Sequence, residues 1–416
     1  MRKKMLSAVL GITCLFFFAQ KSALSQDLKD VISSLYGGNG IQLGVNPAFN
    51  HSAHFAADSL KHMQELAEGL SQVSFPLPST QGGYHLTFNN VTNEYESAQG
   101  SLGPIFGERA GTLGKGGWNF GVSYTYVKYT QFEGDDLKDL SVTLTHTNPQ
   151  IVSFVPGVGG NYYFRRDKVL MTFDVDLKSQ VFALYGSHGI TDKLDVSFLI
   201  PLIRNELSVD SRLAVLLDSS AQFVSTPVHL FDATGRTGDP QTDSADGSAS
   251  GIGDLILSSK YAAYQGERFN GAGVVQLRLP TGDEDNFLGK GKTGGKVMGV
   301  ISSSFPMGSG EFNPHLNVGY DANSGSKGQD SVDYTLGFDY GHLVSEKMFT
   351  AAAGVVGSRE VSGTGDDAKQ SLLDLDLGFK IQVSSKSLVY FNVQVPLNDD
   401  GLRADQIFVL GYEQSL

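Results

Sequence analysis

The sequence predicts an all-β fold: a transmembrane antiparallel β-barrel of about 12–14 strands, preceded by an N-terminal extension that contains one helix. Three observations carry that expectation. First, apolar and polar residues alternate with a period of two through residues 117–416, in stretches of ten to seventeen residues. Strands of soluble domains cluster near 5–6 residues, whereas a tilted membrane strand needs roughly 9–11. Second, the turn-forming clusters between stretches alternate between short ones, such as Ser384-Ser385-Lys386, and long ones, such as 224–250 and 281–294. Outer-membrane barrels show this asymmetry, with short turns on one rim and long loops on the other. Third, no apolar run beyond residue 26 reaches the roughly 20 residues of a membrane helix. Yet 26 Phe, 16 Tyr and 50 Gly at only 18% charge mark a chain that folds rather than a disordered or collagen-like one.

The first 26 residues read as a signal peptide. Arg2, Lys3 and Lys4 form a basic start, Leu6 to Ala19 an apolar core too short to span a bilayer, and Ala23-Leu24-Ser25 a small-residue cleavage site. The only cysteine, Cys14, lies inside that apolar core. Removing 1–26 takes away four of 31 Lys+Arg and none of 44 Asp+Glu, which leaves a net charge of −17. An acidic chain without a Lys/Arg cluster is unsuited to nucleic acid, because phosphate neutralisation supplies most of that affinity.

Residues 27–116 differ in character from residues 117–416. The stretch 51–70 places Ala56, Leu60, Met63, Leu66 or Ala67 and Leu70 on one face of an amphipathic helix, ending before Pro76 and Pro78. Tyr84–Phe88 and Glu94–Ala98 suggest a strand pair. From Trp118 on, Trp118, Phe120, Val122, Tyr124 and Tyr126 oppose Asn119, Gly121, Ser123 and Thr125. Later stretches repeat the pattern, for example Leu373, Leu375, Leu377, Phe379, Ile381 and Val383 against Asp374, Asp376, Gly378, Lys380 and Gln382. Thirteen stretches are counted, among them 137–147 and 253–264, and even strand numbers in bacterial barrels make this twelve or fourteen.

The polar faces supply the candidate site. Asp174, Asp176, Lys178, Arg278, Asp333, Asp339, Asp374, Asp376 and Lys380 line the lumen if the apolar faces meet lipid. They form either a permeation path or a salt-bridge network that fills a closed barrel, and the sequence leaves both open. Other constellations carry less. Asp239, Asp243, Asp246 and Asp254, and Asp283, Glu284, Asp285 and Asn286, are acidic loops without the spacing of a calcium loop. His51 and His54 lack further ligands at metal-binding spacing, so no metal or other cofactor is expected. The run Gly289-Lys290-Gly291-Lys292-Thr293 lacks the phosphate-loop frame, and no nucleophile elbow occurs, so no catalytic residue is assigned.

Four segments in order resemble a known family: Leu102–Ala110 (LGPIFGERA) with Gly114–Tyr124, Phe198–Ile203 (FLIPLI), Ser250–Leu257 (SGIGDLIL) and Leu279–Asn286 (LPTGDEDN). They resemble the outer-membrane transporter-like barrels named for the phenol meta-cleavage degradation pathway, over about residues 70–416. The resemblance implies an outer-membrane barrel loosely akin to hydrophobic-compound channels such as the long-chain fatty-acid transporter, and it implies no catalytic residues. The chain departs from the common barrel ending in a terminal aromatic, although Phe408, Leu410 and Tyr412 keep the alternation.

These readings set the expectations. Residues 1–26 are a signal peptide, 27–116 an extension that partly plugs the lumen, and 117–416 a barrel in the outer membrane of a diderm bacterium. Its surroundings are outer-membrane lipid, its insertion falls to the barrel assembly machinery, and it admits small hydrophobic or aromatic solutes by passive diffusion. A structural or surface-display barrel with a closed lumen, or a soluble exported β-sandwich binding protein, are the alternatives.

Overall fold

The computed structural model describes residues 26–44, 52–73, 75–80, 86–89, 94–97, 100–145, 167–216, 229, 231, 241–324, 330–345, 347–361 and 370–416. Residues 1–25 of the expected signal peptide (1–26), His51 and Asp239 lie outside them. Among the described residues, no helix is long and apolar enough to cross a membrane.

Ahead of the barrel, β1 (Leu86–Asn89) and β2 (Glu94–Ser97) form a two-strand ladder near the expected pair. The chain then closes an antiparallel barrel of twelve staves. It begins with β3 (Trp118–Phe132), which is followed by the short strands β4 (Asp135–Asp136) and β5 (Leu140–Leu144). The next staves are β6 (Lys168–Thr191), β7 (Leu194–Leu216), β8 (Gln241–Ile252) continued by β9 (Leu255–Gln265), β10 (Phe269–Leu279), and β11 (Gly294–Ser303) continued by β12 (Phe305–Met307). Then come β13 (Gly310–Asn323), β14 (Ser331–Val344), β15 (Lys347–Glu360), β16 (Ser371–Ser384), β17 (Ser387–Pro396), and β18 (Leu402–Ala404) continued by β19 (Ile407–Ser415). Closure runs from Phe408↔Tyr126 to Ser415↔Asn119. Five connections at one rim, those that follow Thr191, Gln265, Met307, Val344 and Ser384, are two or three residues long, while the connections at the other rim are longer.

Two sequence expectations change. The stretch 137–147 is not a stave. It contributes only β5, which pairs with Val169–Phe173 of β6 above the point where β3 leaves off. That accounts for twelve rather than fourteen. Conversely, the part of 224–250 read as loop includes β8, paired with β7 from Leu202↔Ile252 to Leu213↔Gln241. Its sequence QTDSADGSASGI alternates small residues with polar ones, so no apolar stripe announces it.

Staves β6 and β7, of 24 and 23 residues, rise well above the others. Their outward faces change polarity with height. Low on β7, Val196, Phe198, Ile200 and Leu202 point outward and Ser197, Leu199 and Ile203 inward. Higher up, Arg204, Glu206, Ser208, Asp210 and Arg212 point outward, while Leu207, Val209 and Leu213 are buried inward. The outward face thus turns from apolar to polar with height, and beside the polar part packed protein lies inside. Below that level the outward faces are apolar, including Phe349, Phe379, Phe391 and Phe408, whose rings follow one another across four staves at 5.9–6.3 Å.

The inward apolar face of the tall staves is covered by the extension. Helix α1 (Leu28–Ser33) and helix α2 (Ala56–Leu70) bury Leu28, Val31, Ile32, Met63 and Leu70 in one cluster with Phe173, Leu207, Val209 and Leu213. Leu60 and Leu66 pack at its margin, as the helical spacing predicts. A side chain at Gly247 of β8 would strike Val31 and Leu28, so the small inward residues of β8 are what let α1 approach. Tyr36 follows α1, donates its hydroxyl to Ser211 Oγ at 2.8 Å, and has its phenol pushed up to about 12 by burial.

Candidate functional site

The most densely bonded part of the interior is where residues 100–117 cross the bore. The segment has no regular secondary structure, yet Leu102, Ile105, Phe106 and Ala110 are buried. Its backbone polar groups therefore need partners that no helix or ladder supplies. The polar inner face of the barrel provides them. Leu102 N–H donates to Thr350 Oγ1 at 2.8 Å, Ala110 N–H to Ser302 Oγ at 3.1 Å and Leu113 N–H to Asp195 Oδ2 at 2.9 Å. Asn317 grips Glu108 twice, accepting its N–H at 2.6 Å and donating to its carbonyl at 2.9 Å. At the short-turn rim Thr112 Oγ1 donates to the Asp192 carbonyl at 2.8 Å, and Gly116 N–H to the Gly189 carbonyl at 2.8 Å. Gly107 is required at its place: φ is +82°, and a Cβ there would lie 2.9 Å from Thr335 and 3.1 Å from Asn317.

Two buried ion pairs fix the crossing. The Arg109 side chain is 5% exposed and Asp339 fully buried. Arg109 Nε donates to Asp339 Oδ2 at 3.0 Å and its Nη2 to Asp339 Oδ1 and Ser101 Oγ. Ser101 Oγ also donates to the same carboxylate at 2.5 Å. The Lys260 ammonium, fully buried on β9, lies 3.3 Å from Glu108 Oε2 and donates to the Arg109 carbonyl at 3.1 Å. Ser79 Oγ adds a bond to Glu108 Oε1 at 2.7 Å. Burying such charges is costly unless each is paired and hydrogen-bonded, and removing one partner strands the other.

Of the sequence-predicted residues, six stand on the inner face. Arg278 pairs with Asp321 at 3.4 Å and also bonds Asn323. Asp333 pairs with Lys296 and accepts Ser358 Oγ at 2.6 Å. Asp339 holds Arg109, Asp374 faces Arg403 at 3.2 Å, Asp376 accepts Asn392 Nδ2 at 2.5 Å, and Lys380 lies 3.2 Å from Glu413 Oε1. The other three, Asp174, Asp176 and Lys178, depart from the expected lining. They alternate with buried Phe173, Val175 and Leu177 and so face outward on the rise of β6, where Lys178 Nζ meets Asp176 at 2.6 Å. Alternation separates two faces without saying which one meets lipid, and the apolar face of upper β6 meets helices instead.

Sequence reasoning missed Glu108, Arg109 and Lys260 as a unit. Two adjacent charges in the otherwise apolar and small-residue run from Leu102 to Ala110, and one inward lysine in β9, were the available signals. The acidic loop 283–286 binds its own chain: Asp283 accepts Asp285 N–H at 3.1 Å and Asn286 Nδ2 at 2.8 Å, and Asp285 pairs with Lys29 at 2.8 Å. Asp254 accepts Gly282 N–H at 3.1 Å and Lys290 N–H at 2.8 Å, pinning both ends of that loop, and Asp243 accepts Tyr36 N–H at 2.5 Å. His54 lies 6.2 Å from the His229 ring, and His62 sits between Asp58 and Glu65. Among the described residues, no group of three or more His, Cys, Asp or Glu side chains is placed to hold a metal ion.

Comparison with known proteins gives a family. No curated protein matches the chain. Among solved structures it is similar to an outer membrane channel from Pseudomonas putida, at 17% identity over 75% of this chain and 100% of that one, with a TM-score of 0.43. It is also similar to a FadL homologue from Pseudomonas aeruginosa, at 9% identity over 82% and 98% of the two chains and a TM-score of 0.30. The family model described as "Putative MetA-pathway of phenol degradation" matches residues 166–401, more than half of the chain, and the protein belongs to that family.

Proposed function

We propose that the protein is an outer-membrane channel that admits small hydrophobic or aromatic compounds by passive diffusion, with residues 27–116 partly plugging its lumen. The observation that carries the reading is how residues 100–117 are fastened inside a closed barrel: by side-chain bonds and the Arg109–Asp339 and Glu108–Lys260 pairs. An obstruction held at discrete polar points can shift as a unit. Above it, Lys296, Asp333 and Asp374 on the inner wall keep 22%, 23% and 18% of their side-chain surface accessible, which supports a wetted path on that side. The lipid-facing band and the two unlike rims support an outer-membrane setting with the short turns in the periplasm. The signal peptide read in residues 1–26 supports export and handover to the barrel assembly machinery. The family's description, concerned with phenol degradation, supports aromatic solutes.

The test is conductance in planar bilayers together with uptake of a neutral aromatic solute by proteoliposomes, for the wild type and for a variant lacking residues 51–70. Uptake by the wild type, and higher conductance in the variant, are expected. Unchanged conductance and uptake remove the plug role. Silence from both proteins favours the closed structural barrel.

A further inference from the structure

We propose that residues 27–44 and 52–73 stand on the outer surface of the cell, the chain having passed outward through the bore of its own barrel. The inference rests on the outer-membrane reading above and on the course of the chain.

Stave β3 begins at the short-turn rim, where Leu416 N–H donates to the Trp118 carbonyl at 3.0 Å. Followed backward from Trp118, the chain crosses the bore through residues 100–113, bonded to inward side chains of five staves. Residues 75–80 lie along the inner wall as well: Thr80 Oγ1 is 3.0 Å from Ser197 Oγ, and Phe75 and Leu77 pack on inward residues of β6 and β7. Both helices then sit at the opposite rim. Asp58 of α2 accepts the Thr145 N–H at 2.8 Å, just past β5, and a side chain at Gly69 would strike Phe132, the last residue of β3. Lys29 N–H of α1 donates to the Asp285 carbonyl at 3.0 Å in the long connection between β10 and β11. With short turns in the periplasm, every one of these contacts is at the external end. Lys61, Gln64, Glu65 and Glu68 of α2 then face the medium. The arrangement also requires that any leader ahead of Asp27 be released before the barrel closes, because a tether to the inner membrane would have to run back down a filled bore.

Cys14 is the only cysteine in the sequence and lies in the leader, so single thiols report position. Asn39→Cys and Lys61→Cys, both at exposed positions of the cap, are compared with Ser385→Cys in a short turn. Intact cells are treated with a membrane-impermeant maleimide, and the outer-membrane fraction is checked for heat-modifiable migration. Labelling of the first two variants in intact cells, and of Ser385→Cys only after permeabilisation, is expected. If Asn39→Cys and Lys61→Cys are protected in intact cells while the protein remains a heat-modifiable outer-membrane barrel, the inference is overturned and the outer-membrane reading stands. Labelling of Ser385→Cys in intact cells overturns it by reversing the orientation. Recovery outside the outer membrane, without heat-modifiable migration, defeats the outer-membrane reading and this inference with it.

Discussion

Replacing Asp339 by Ala tests whether the bore-crossing segment is held by charge. The substitution removes the carboxylate that receives Arg109 Nε, Arg109 Nη2 and Ser101 Oγ. The Arg109 side chain is only 5% exposed, so bulk water cannot replace the lost oxygens while the segment stays seated. Stranding one partner of a buried pair costs about 3–5 kcal/mol. At about 1.4 kcal/mol per factor of ten, the balance between seated and displaced segment moves by about two to three and a half decades. The Glu108–Lys260 pair remains and retains part of the seating, so the lower end of that range is expected. The barrel itself should survive, because β14 is paired along its length with β13 and β15 through backbone bonds that the substitution leaves in place. Single-channel recordings with heat-modifiable gel migration read both outcomes: a folded barrel, open far more often than the wild type. The paired variant Arg109→Met with Asp339→Leu leaves no charge stranded and should return toward wild-type closure. Recordings of Asp339→Ala that superimpose on the wild type, with the barrel intact, refute the reasoning. Equal opening by the single and paired variants would assign the effect to shape rather than to the unpaired charge.

On β7, Ile200→Arg places a charge on the lipid-facing band and should cost about 2–4 kcal/mol in refolding into vesicles, whereas Ser208→Arg, also outward but above the band, should be nearly neutral. A Cβ at Gly121 would strike the Tyr185 ring, so Gly121→Val should lower barrel stability by about 1–3 kcal/mol, read as a lower unfolding temperature by heat-modifiable migration. The His54 pKa is held below its ordinary value of 6.5 by burial and then by His229. The unfolded cap therefore binds more protons below that pH, and the stability this group contributes is present above it and lost as the pH falls through it. Hydrogen exchange of residues 52–73 should speed up between about pH 7.5 and pH 5 relative to a His54→Gln variant, and identical pH profiles would exclude the group.

The fold is largely legible because a membrane strand writes its environment into every second residue. The runs Val332 to Tyr340 and Leu373 to Val383 each have one lipid face and one bore face, and the apolar side chains mark the former. The run Met171 to Leu177 misleads, since the same alternation arises wherever one face is dry, and on upper β6 the dry face is the inner one, against Leu28, Val31 and Met63. β8 is invisible for a related reason: pressed against α1, its inward positions had to be Ala245, Gly247 and Ala249, and small residues carry no hydrophobic signal. The Arg109–Asp339 and Glu108–Lys260 pairs join positions 230 and 152 residues apart, and no local spacing encodes a meeting that only barrel closure brings about.

Two of the ion pairs that fasten the N-terminal segment answer to different variables. Lys29 and Asp285, about half exposed at the long-loop rim, attract each other through water, and that attraction fades as dissolved ions crowd within a Debye length of roughly 8–10 Å. Arg109 and Asp339 sit where ions do not enter, and their attraction is indifferent to the medium. Brine should therefore remove the small contribution of the Lys29–Asp285 pair and leave the crossing tight, while the apolar cluster around Leu28, Val31 and Met63 goes on holding the cap. Salt would therefore loosen one contact at the rim of this barrel without touching the bolt in its bore.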